Sequence, residues 1–406
     1  MNSVGIVAEY NPFHNGHDFQ FQSAKKLALS DVAIAVMSGN FLQRGEPALV
    51  NKWSRTKMAL QAGVDIVIEL PYAYAVQNAE IFAYGAVLLL DAIGCRDICF
   101  GSESGNIDQF YETVRFINHH KDEYDYYIRK FIKQGISYPS ALSAAFQELK
   151  PQGNIVDLTK PNNILGFHYM SAGEKINSRI SFHTVKRRNA EHHDESLSGA
   201  SITSATSIRK SIHFHSELKE IREYVPKGTY DELLNYHTTF GQFHSWEDYW
   251  SFLQYKILSM TKEELEEIYD VSEGLENRLI KASRTANSFE EFMKSVKTKR
   301  YTWTRLQRTC IHILTNTKKQ TIHSLNKDPQ YIRLLGMNEH GREYLRKIKK
   351  ELQVPLISKV SSFQNDMLLL DLKASNVYAL ALPEPERSTL LKHEFAQPPI
   401  LYEEEF

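Results

Sequence analysis

Five short apolar runs, separated by helical stretches, occupy the first half of the chain. This alternation limits the fold more than any other feature of the 406 residues. The strand-like runs are Val4–Ala8, Val32–Met37, Ile66–Glu69, Ile98–Phe100 and Ile180–Val185. Helical patterns lie between them at His17–Leu29, Ser54–Ala62 and Asn78–Ile93, with a helical insertion from Ile107 to about Leu149. Short strands that alternate with helices build βαβ units, and so a doubly wound parallel sheet covered on both faces. Ligands of such sheets sit beyond the carboxyl ends of the strands, near the switch point. The first strand–helix loop, Glu9 to Gly16, is therefore the place to look.

Beyond Lys210 the strand pattern fades, and helical patterns dominate from Tyr230 to Lys350, as in Leu306, Cys310, Ile313 and Leu314. Short β-like runs return at Met367–Leu370 and Val377–Leu382, before a Pro-rich end. Three units are expected: an α/β catalytic unit over 1–215 with its helical insertion at about 107–150, a helical, locally basic unit over 216–353, and a small α/β segment over 354–406 packing on the rest. A hydrophobic share of 42% and a charged share of 24% suit a globular chain with a real core. The longest apolar stretch, Ile81–Ile93, is broken by Gly85 and Asp91, so neither a bilayer span nor a membrane partner is expected. The sequence runs directly into the strand-like Ser3–Ala8, so no signal peptide is expected. Cys95, Cys99 and Cys310 are too few for a disulfide framework and lack zinc spacing, so a reduced, cytoplasmic setting is expected.

The loop reads Glu9-Tyr10-Asn11-Pro12-Phe13-His14-Asn15-Gly16-His17 and runs into a helix. Gly16 lets backbone approach a phosphate, and the helix N-terminus supplies unpaired N–H groups and a positive dipole end. Imidazole N–H donors at His14 and His17 would meet the charge that builds during attack on an α-phosphate. Neither a Walker A nor a Gly-x-Gly-x-x-Gly sequence is present, so the phosphate cradle is of another kind. Alone, four positions are as readily a chance pair in a surface loop. A second segment, Ser201-Ile-Thr-Ser-Ala-Thr-Ser-Ile-Arg-Lys210, puts Ser204, Thr206 and Arg209 at another helix start, where they would hold β- and γ-phosphates. By itself it reads more simply as a Ser/Thr-rich N-cap.

Lys52 and Arg55 share a helix face, ordinarily solvated charge, but Gln43-Arg44-Gly45 would lie at the same end of the sheet and bring Arg44 to phosphate. Asn162 precedes a helical pattern and reads equally as an N-cap. Gly101 follows a strand and reads as a turn or as a close approach to ligand. His192-His193-Asp194 lacks a third ligand, so no metal site is expected. Between Glu290 and Lys350 there are 15 Lys and Arg against 5 Asp and Glu, in a chain of net charge −1, whereas Thr261 to Glu276 is acidic. Lys297, Lys299, Arg300, Arg305, Arg308, Lys318 and Lys319, with Tyr301 and Trp303 among them, have the cations and rings of an RNA-binding face. A solvated helix face with Trp303 turned inward is the plain alternative.

Together, His14-Asn-Gly-His17 and Ser204-Ala-Thr206-Ser-Ile-Arg209 resemble the two signature motifs of the nucleotidyltransferase superfamily, which is related to class I aminoacyl-tRNA synthetases and cleaves ATP between its α- and β-phosphates. Further segments resemble a narrower family, the bacterial tRNA(Met) cytidine acetate ligases. They are Met37-Ser-Gly-Asn-Phe-Leu-Gln-Arg-Gly-Glu-Pro47, Lys52-Trp-Ser-Arg55, Glu69-Leu-Pro71, Gly101-Ser-Glu103, Pro161-Asn-Asn-Ile-Leu-Gly166 and Lys299-Arg-Tyr-Thr302. The resemblance covers essentially the whole chain. It implies a Rossmann-like α/β fold of nucleotidyltransferase type followed by a mainly helical C-terminal part. It also implies an enzyme that activates acetate with ATP and acetylates the wobble cytidine of elongator tRNA(Met). ATP contacts are implied from Val7 and Ala8, through the loop Glu9–His17, to Asp18, Phe19 and Gln20. Others are implied from Gly101, Asn162 and either Arg187 or Arg188, with Arg187 preferred. His14, His17 and Arg209 are the expected catalytic residues, with Ser204 and Thr206 on pyrophosphate and Mg2+ bridging phosphates. Two other readings stay open: an adenylyl- or cytidylyltransferase acting on a small phosphorylated metabolite, and an RNA-binding protein with a vestigial nucleotide site.

Overall fold

Each of the five apolar runs forms a strand: β1 (Ser3–Ala8), β2 (Val32–Ser38), β3 (Ile66–Leu70), β4 (Asp97–Ser102) and β5 (Ser181–Lys186). The structure, a computed structural model, describes residues 1–187, 203–215, 218–325 and 327–403. The five strands run parallel in the order β5-β4-β1-β2-β3. Both faces of β2 and β3 are buried, which is why they read as continuous apolar runs. Helices α1 (Asn15–Leu27), α2 (Lys52–Gln61), α3 (Tyr72–Ala75) and α4 (Ala79–Ala92) connect the strands as far as β4. The insertion is α5 (Ile107–His119), α6 (Lys121–Lys133) and α7 (Tyr138–Glu148), and α8 (Pro161–Lys175) returns to the sheet.

The strand order reverses at β1, whose neighbours are β2 on one side and β4 on the other. β1 pairs with β2 from Ser3 to Ala8, but with β4 only at Val4–Asp97 and Gly5–Ile98. The carboxyl ends of β1 and β4 are thus unpaired with each other, and a crevice at this reversal is where α/β sheets take ligands.

From residue 203 the chain is mainly helical: α9 (Ala205–His215), α10 (Lys227–Phe240), α11 (Trp250–Ser259), α12 (Lys262–Glu267), α13 (Leu275–Ser283), α14 (Phe289–Val296), α15 (Trp303–Leu314) and α16 (Lys319–Leu325). The chain then returns to the sheet. Within the stretch expected to be helical, β6 (Ile332–Asn338) adds to the sheet antiparallel to β3 and carries β7 (Leu356–Ile357) and β8 (Ile400–Tyr402). Its first five residues are buried whichever way they point, so it shows no period of two. After α17 (Glu339–Ile348), the run Met367–Leu370 proves helical, as does the start of Val377–Leu382, in α18 (Asp366–Ala379), before α19 (Glu386–Ala396). A short apolar run does not separate a buried helix from a buried strand, which explains the error.

Buried charges fasten these later elements to the first half. Lys52 Nζ lies 2.9 Å from Glu69 and 2.7 Å from Glu394, and Arg333 lies 3.0 Å from Glu69 and 2.8 Å from Glu394. Lys52 is not a solvated cation: its side chain is 0% exposed and joins α2 to β3 and α19. Among the described residues no helix is long and apolar enough to cross a membrane.

Candidate active site

Helix α1 opens with a capping box made of two histidines. His14 is the N-cap, with extended backbone, and its Nδ1 accepts the Gly16 N–H at 3.0 Å. His17 stands at the third helical position, where its Nδ1 accepts the His14 N–H at 3.3 Å. Ser or Thr with Glu or Gln ordinarily fill these places. With both δ nitrogens accepting, a neutral ring carries its proton on Nε2, so each histidine has one N–H left to donate. The rings stack with centroids 3.7 Å apart. Burial, helped by Arg187 and Arg209, pushes the His14 pKa down to about 3, and burial with His14 lowers that of His17. At neutral pH both are neutral donors.

The two rings line a cavity of about 210 Å3 at the strand-order reversal, with Val7, Ala8 and Glu9 from β1 and its end, Gln20 from α1 and Gly101 from β4. Arg44, Arg187 and Arg209 surround it, against the carboxylates of Glu9 and Glu46. That balance suits a polyphosphate. Arg209 is aimed by two partners, the Asn11 carbonyl and the Glu46 carboxylate, each at 3.0 Å. Ser204 caps α9 by accepting the Ser207 N–H at 3.0 Å, and it lines the cavity together with Ala205 and Thr206. The N-cap reading of this segment is therefore realised, and the same residues border the cavity. Asn162 is not an N-cap, because Lys160 holds that position of α8. Its Oδ1 accepts from Arg187 at 3.3 Å and its Nδ2 donates to Glu103 at 2.7 Å, which ties α8 to the end of β4.

Several expected contacts lie elsewhere. Tyr10, Asn11, Pro12 and Phe13 are the buried part of the loop and do not line the cavity, nor do Asn15 and Asp18. Gly16 and Phe19 border a small adjoining cleft with Gln20 and Arg187. Asn11 supports the site from behind, its Oδ1 accepting the Leu49 N–H at 2.7 Å. Arg55 is neither solvated nor in the cavity. It is 0% exposed and donates to the carbonyls of Glu9 at 2.7 Å, Ser38 at 3.0 Å, Val50 at 3.2 Å and Gly39, clamping the ends of β1 and β2. An apolar wall of Phe82, Phe100, Leu165 and Tyr169 is not among the expected site residues; only Leu165 falls within a family-like segment, Pro161–Gly166, and the wall's trace in the sequence is the helical spacing of Asn162, Leu165 and Tyr169. Arg188, Ser201 and His192-His193-Asp194 lie outside the described residues. Among the described residues, no cluster of three or more His, Cys, Asp or Glu suits a metal ion.

The cations expected to bind RNA do not share one open face. Arg308 is 8% exposed, lies 3.8 Å from Asp270 and donates to the Gln43 carbonyl at 3.3 Å. Arg300 pairs with Glu273 at 2.8 Å and Lys318 with Glu267 at 2.7 Å. Arg305 donates to Ser272 at 2.8 Å and Lys319 to the Glu266 carbonyl at 2.5 Å. The acidic stretch thus folds onto the basic block. Tyr301 is 3% exposed, so its ring is not available for stacking. Lys297 and Lys299 are exposed and pair with no carboxylate among the described residues.

The family model HIGH Nucleotidyl Transferase matches residues 1–393. The chain is 52% identical to the tRNA(Met) cytidine acetate ligase of Bacillus licheniformis and 47% identical to that of Bacillus subtilis, over 100% of this chain and 98% of each relative. The structure matches that of Thermotoga maritima TmcAL over 99% of both chains. The TM-score is 0.92 with 35% identity for the apo form, and 0.90 with 34% identity for the form bound with alpha-thio ATP. This chain therefore belongs to the HIGH nucleotidyl transferases and, among them, to the tRNA(Met) cytidine acetate ligases.

Proposed function

We propose that the protein is an ATP-dependent ligase acting in the cytoplasm. It converts acetate to acetyl-adenylate and transfers the acetyl group to N4 of the wobble cytidine of elongator tRNA(Met), yielding N4-acetylcytidine, AMP and pyrophosphate. The observation that carries this reading is the pair of neutral imidazole donors at the strand-order reversal, ringed by Arg44, Arg187 and Arg209. The chain around that pair is related from end to end to ligases of this name.

As acetate attacks the α-phosphorus, charge builds on its oxygens, and the Nε2–H groups of His14 and His17 stabilise it. Arg209, Thr206 and the first turn of α9 hold the β- and γ-phosphates and the departing pyrophosphate. Arg187, braced by Asn162, and Gly101 contact the nucleotide, and the apolar wall keeps water from the adenylate. Mg2+ would enter bound to the triphosphate. Bound there, it would neutralise phosphate charge. For tRNA, the exposed Lys297 and Lys299 are the first contacts. Arg300, Arg305, Lys318 and Lys319 would exchange protein partners for phosphate. Arg308 is withdrawn from that set by its burial.

The test is mass spectrometry of tRNA nucleosides after incubation with ATP and isotope-labelled acetate, with label expected in acetylcytidine of tRNA(Met). A stable dinucleotide product formed without RNA would favour the adenylyl- or cytidylyltransferase reading instead.

A further inference from the structure

Acetyl transfer makes a demand that activation does not, because the attacking amine must give up a proton. The C–N bond forms at the acetyl carbonyl carbon, and the C–O bond to AMP breaks with its electron pair leaving on the phosphate. One N–H proton of the amine has to be accepted as this happens. His14 and His17 spend their Nδ1 atoms as caps and carry protons on Nε2, so neither has a basic nitrogen to spare. Glu46 is committed to Arg209 at 3.0 Å. Tyr169 is a phenol whose pKa burial pushes further up. Glu9 remains.

Glu9 follows the last residue of β1. Its carbonyl is held by Arg55 at 2.7 Å, and its Oε1 accepts the Gln43 N–H at 2.7 Å. Its Oε2 has no partner among the described residues and is not sealed off, so it opens into the cavity that Glu9 lines. The titratable and charged groups around it are Arg44, Glu46, Arg209, the buried Arg55 and the Tyr169 phenol, and Arg44 and Arg209 are among the cations that ring the cavity. A carboxylate there repels both anionic substrates, acetate and triphosphate, and is explained by a substrate that brings N–H donors. The cytosine 4-amino group is such a donor, and Glu or Asp is its usual side-chain acceptor.

We infer that Glu9 is the general base of acetyl transfer: Oε2 accepts one N–H of the cytidine amine, directs its nitrogen at the acetyl carbonyl and takes the proton as AMP leaves. Burial raises its pKa against the opposing pull of the Gln43 N–H, Arg44 and Arg209, which makes the ionised carboxylate a stronger proton acceptor. The inference rests on the acetate-ligase reading above.

The experiment compares the full-length wild type with Glu9→Gln in two assays, acetate-dependent exchange of pyrophosphate into ATP and single-turnover acetylation of tRNA(Met). Gln still accepts the Gln43 N–H through Oε1, so a purely structural role survives while the base is lost. Transfer is expected to fall by about 10²–10⁴, and exchange by far less. The loss of wild-type transfer rate as pH falls through the Glu9 pKa should be absent from the variant. Equal losses in both assays would assign Glu9 to ATP or its metal ion and overturn the inference, as would undiminished transfer. A wild type without acetate-dependent exchange would instead sink the acetate-ligase reading, and the inference with it.

Discussion

His14 and His17 each do two things with two nitrogens. Nδ1 builds the helix start, and Nε2–H is left to donate. The roles are separable because Asn serves an N-cap and Gln serves the third position of a capping box. His14→Asn and His17→Gln should therefore melt close to the wild type while losing about 10²–10³ in acetate-dependent pyrophosphate exchange. His14→Ala loses the cap as well, and should unfold about 1 kcal/mol more easily. If His14→Asn exchanged at the wild-type rate, the α-phosphate charge would be met by other groups. The motif was legible in the sequence as a pair of imidazoles beside a glycine. That both rings are fixed by backbone N–H groups, and so forced to the same tautomer, depends on ring orientation, which spacing does not encode.

At the scale of elements, the loop from Gln43 to Glu46 is where the two halves of the chain meet. Gly45 has φ +77° and no room for a Cβ beside the backbone of Gln307 and Arg308 in α15. Trp246 donates to the Gly45 carbonyl at 2.8 Å, and Arg308 holds the Gln43 carbonyl at 3.3 Å. The inner side of α15 is thus the back support of a loop that lines the cavity. Arg308→Ala is accordingly expected to slow pyrophosphate exchange while leaving tRNA affinity near normal. Replacing Lys297 and Lys299 with Glu should do the reverse, weakening tRNA binding and lowering its log–log salt slope by about 0.7–0.9 for each phosphate no longer neutralised. Filter binding with exchange assays on both variants decides. Equal tRNA affinity of the lysine variant and the wild type would place the RNA surface elsewhere. The basic block was visible as a count of charges. Its pairing with Asp270, Glu273 and Glu267 was not, because a linear count cannot see a second segment fold onto it. The parallel strands were legible because burial on both faces gives unbroken apolar runs, and the same burial hid β6 and made α18 look like strand.

Across the whole molecule, buried imidazoles set how folding responds to acid. His14 and His244 are held at about 3, and His168 and His312 at about 4, down from 6.5 and in each case mainly by burial. They sit at the head of α1, between α10 and α11, on α8 and on α15, so the effect is not confined to the active site. In the unfolded chain all four take up protons as pH falls through 6.5, while the folded chain refuses them until far lower pH. Stability is therefore full above 6.5 and declines as pH falls toward the folded values. Two carboxyl groups oppose this. Asp371, raised to about 7, and Glu9, also raised by burial, are protonated in the folded state before the unfolded one, and favour folding as pH falls. His17 and His213 are lowered too, so the imidazoles outnumber the two carboxyl groups and the net effect is a loss of stability as pH falls through this window. Calorimetry should therefore show a clearly lower unfolding midpoint at about pH 5.5 than at about pH 7. His168 makes no hydrogen bond to a described residue, so His168→Leu removes one of these imidazoles without orphaning a partner, and should narrow the gap between the two midpoints. A midpoint that stayed level or rose on acidification would mean that carboxyl protonation, and not the buried imidazoles, governs the acid limb.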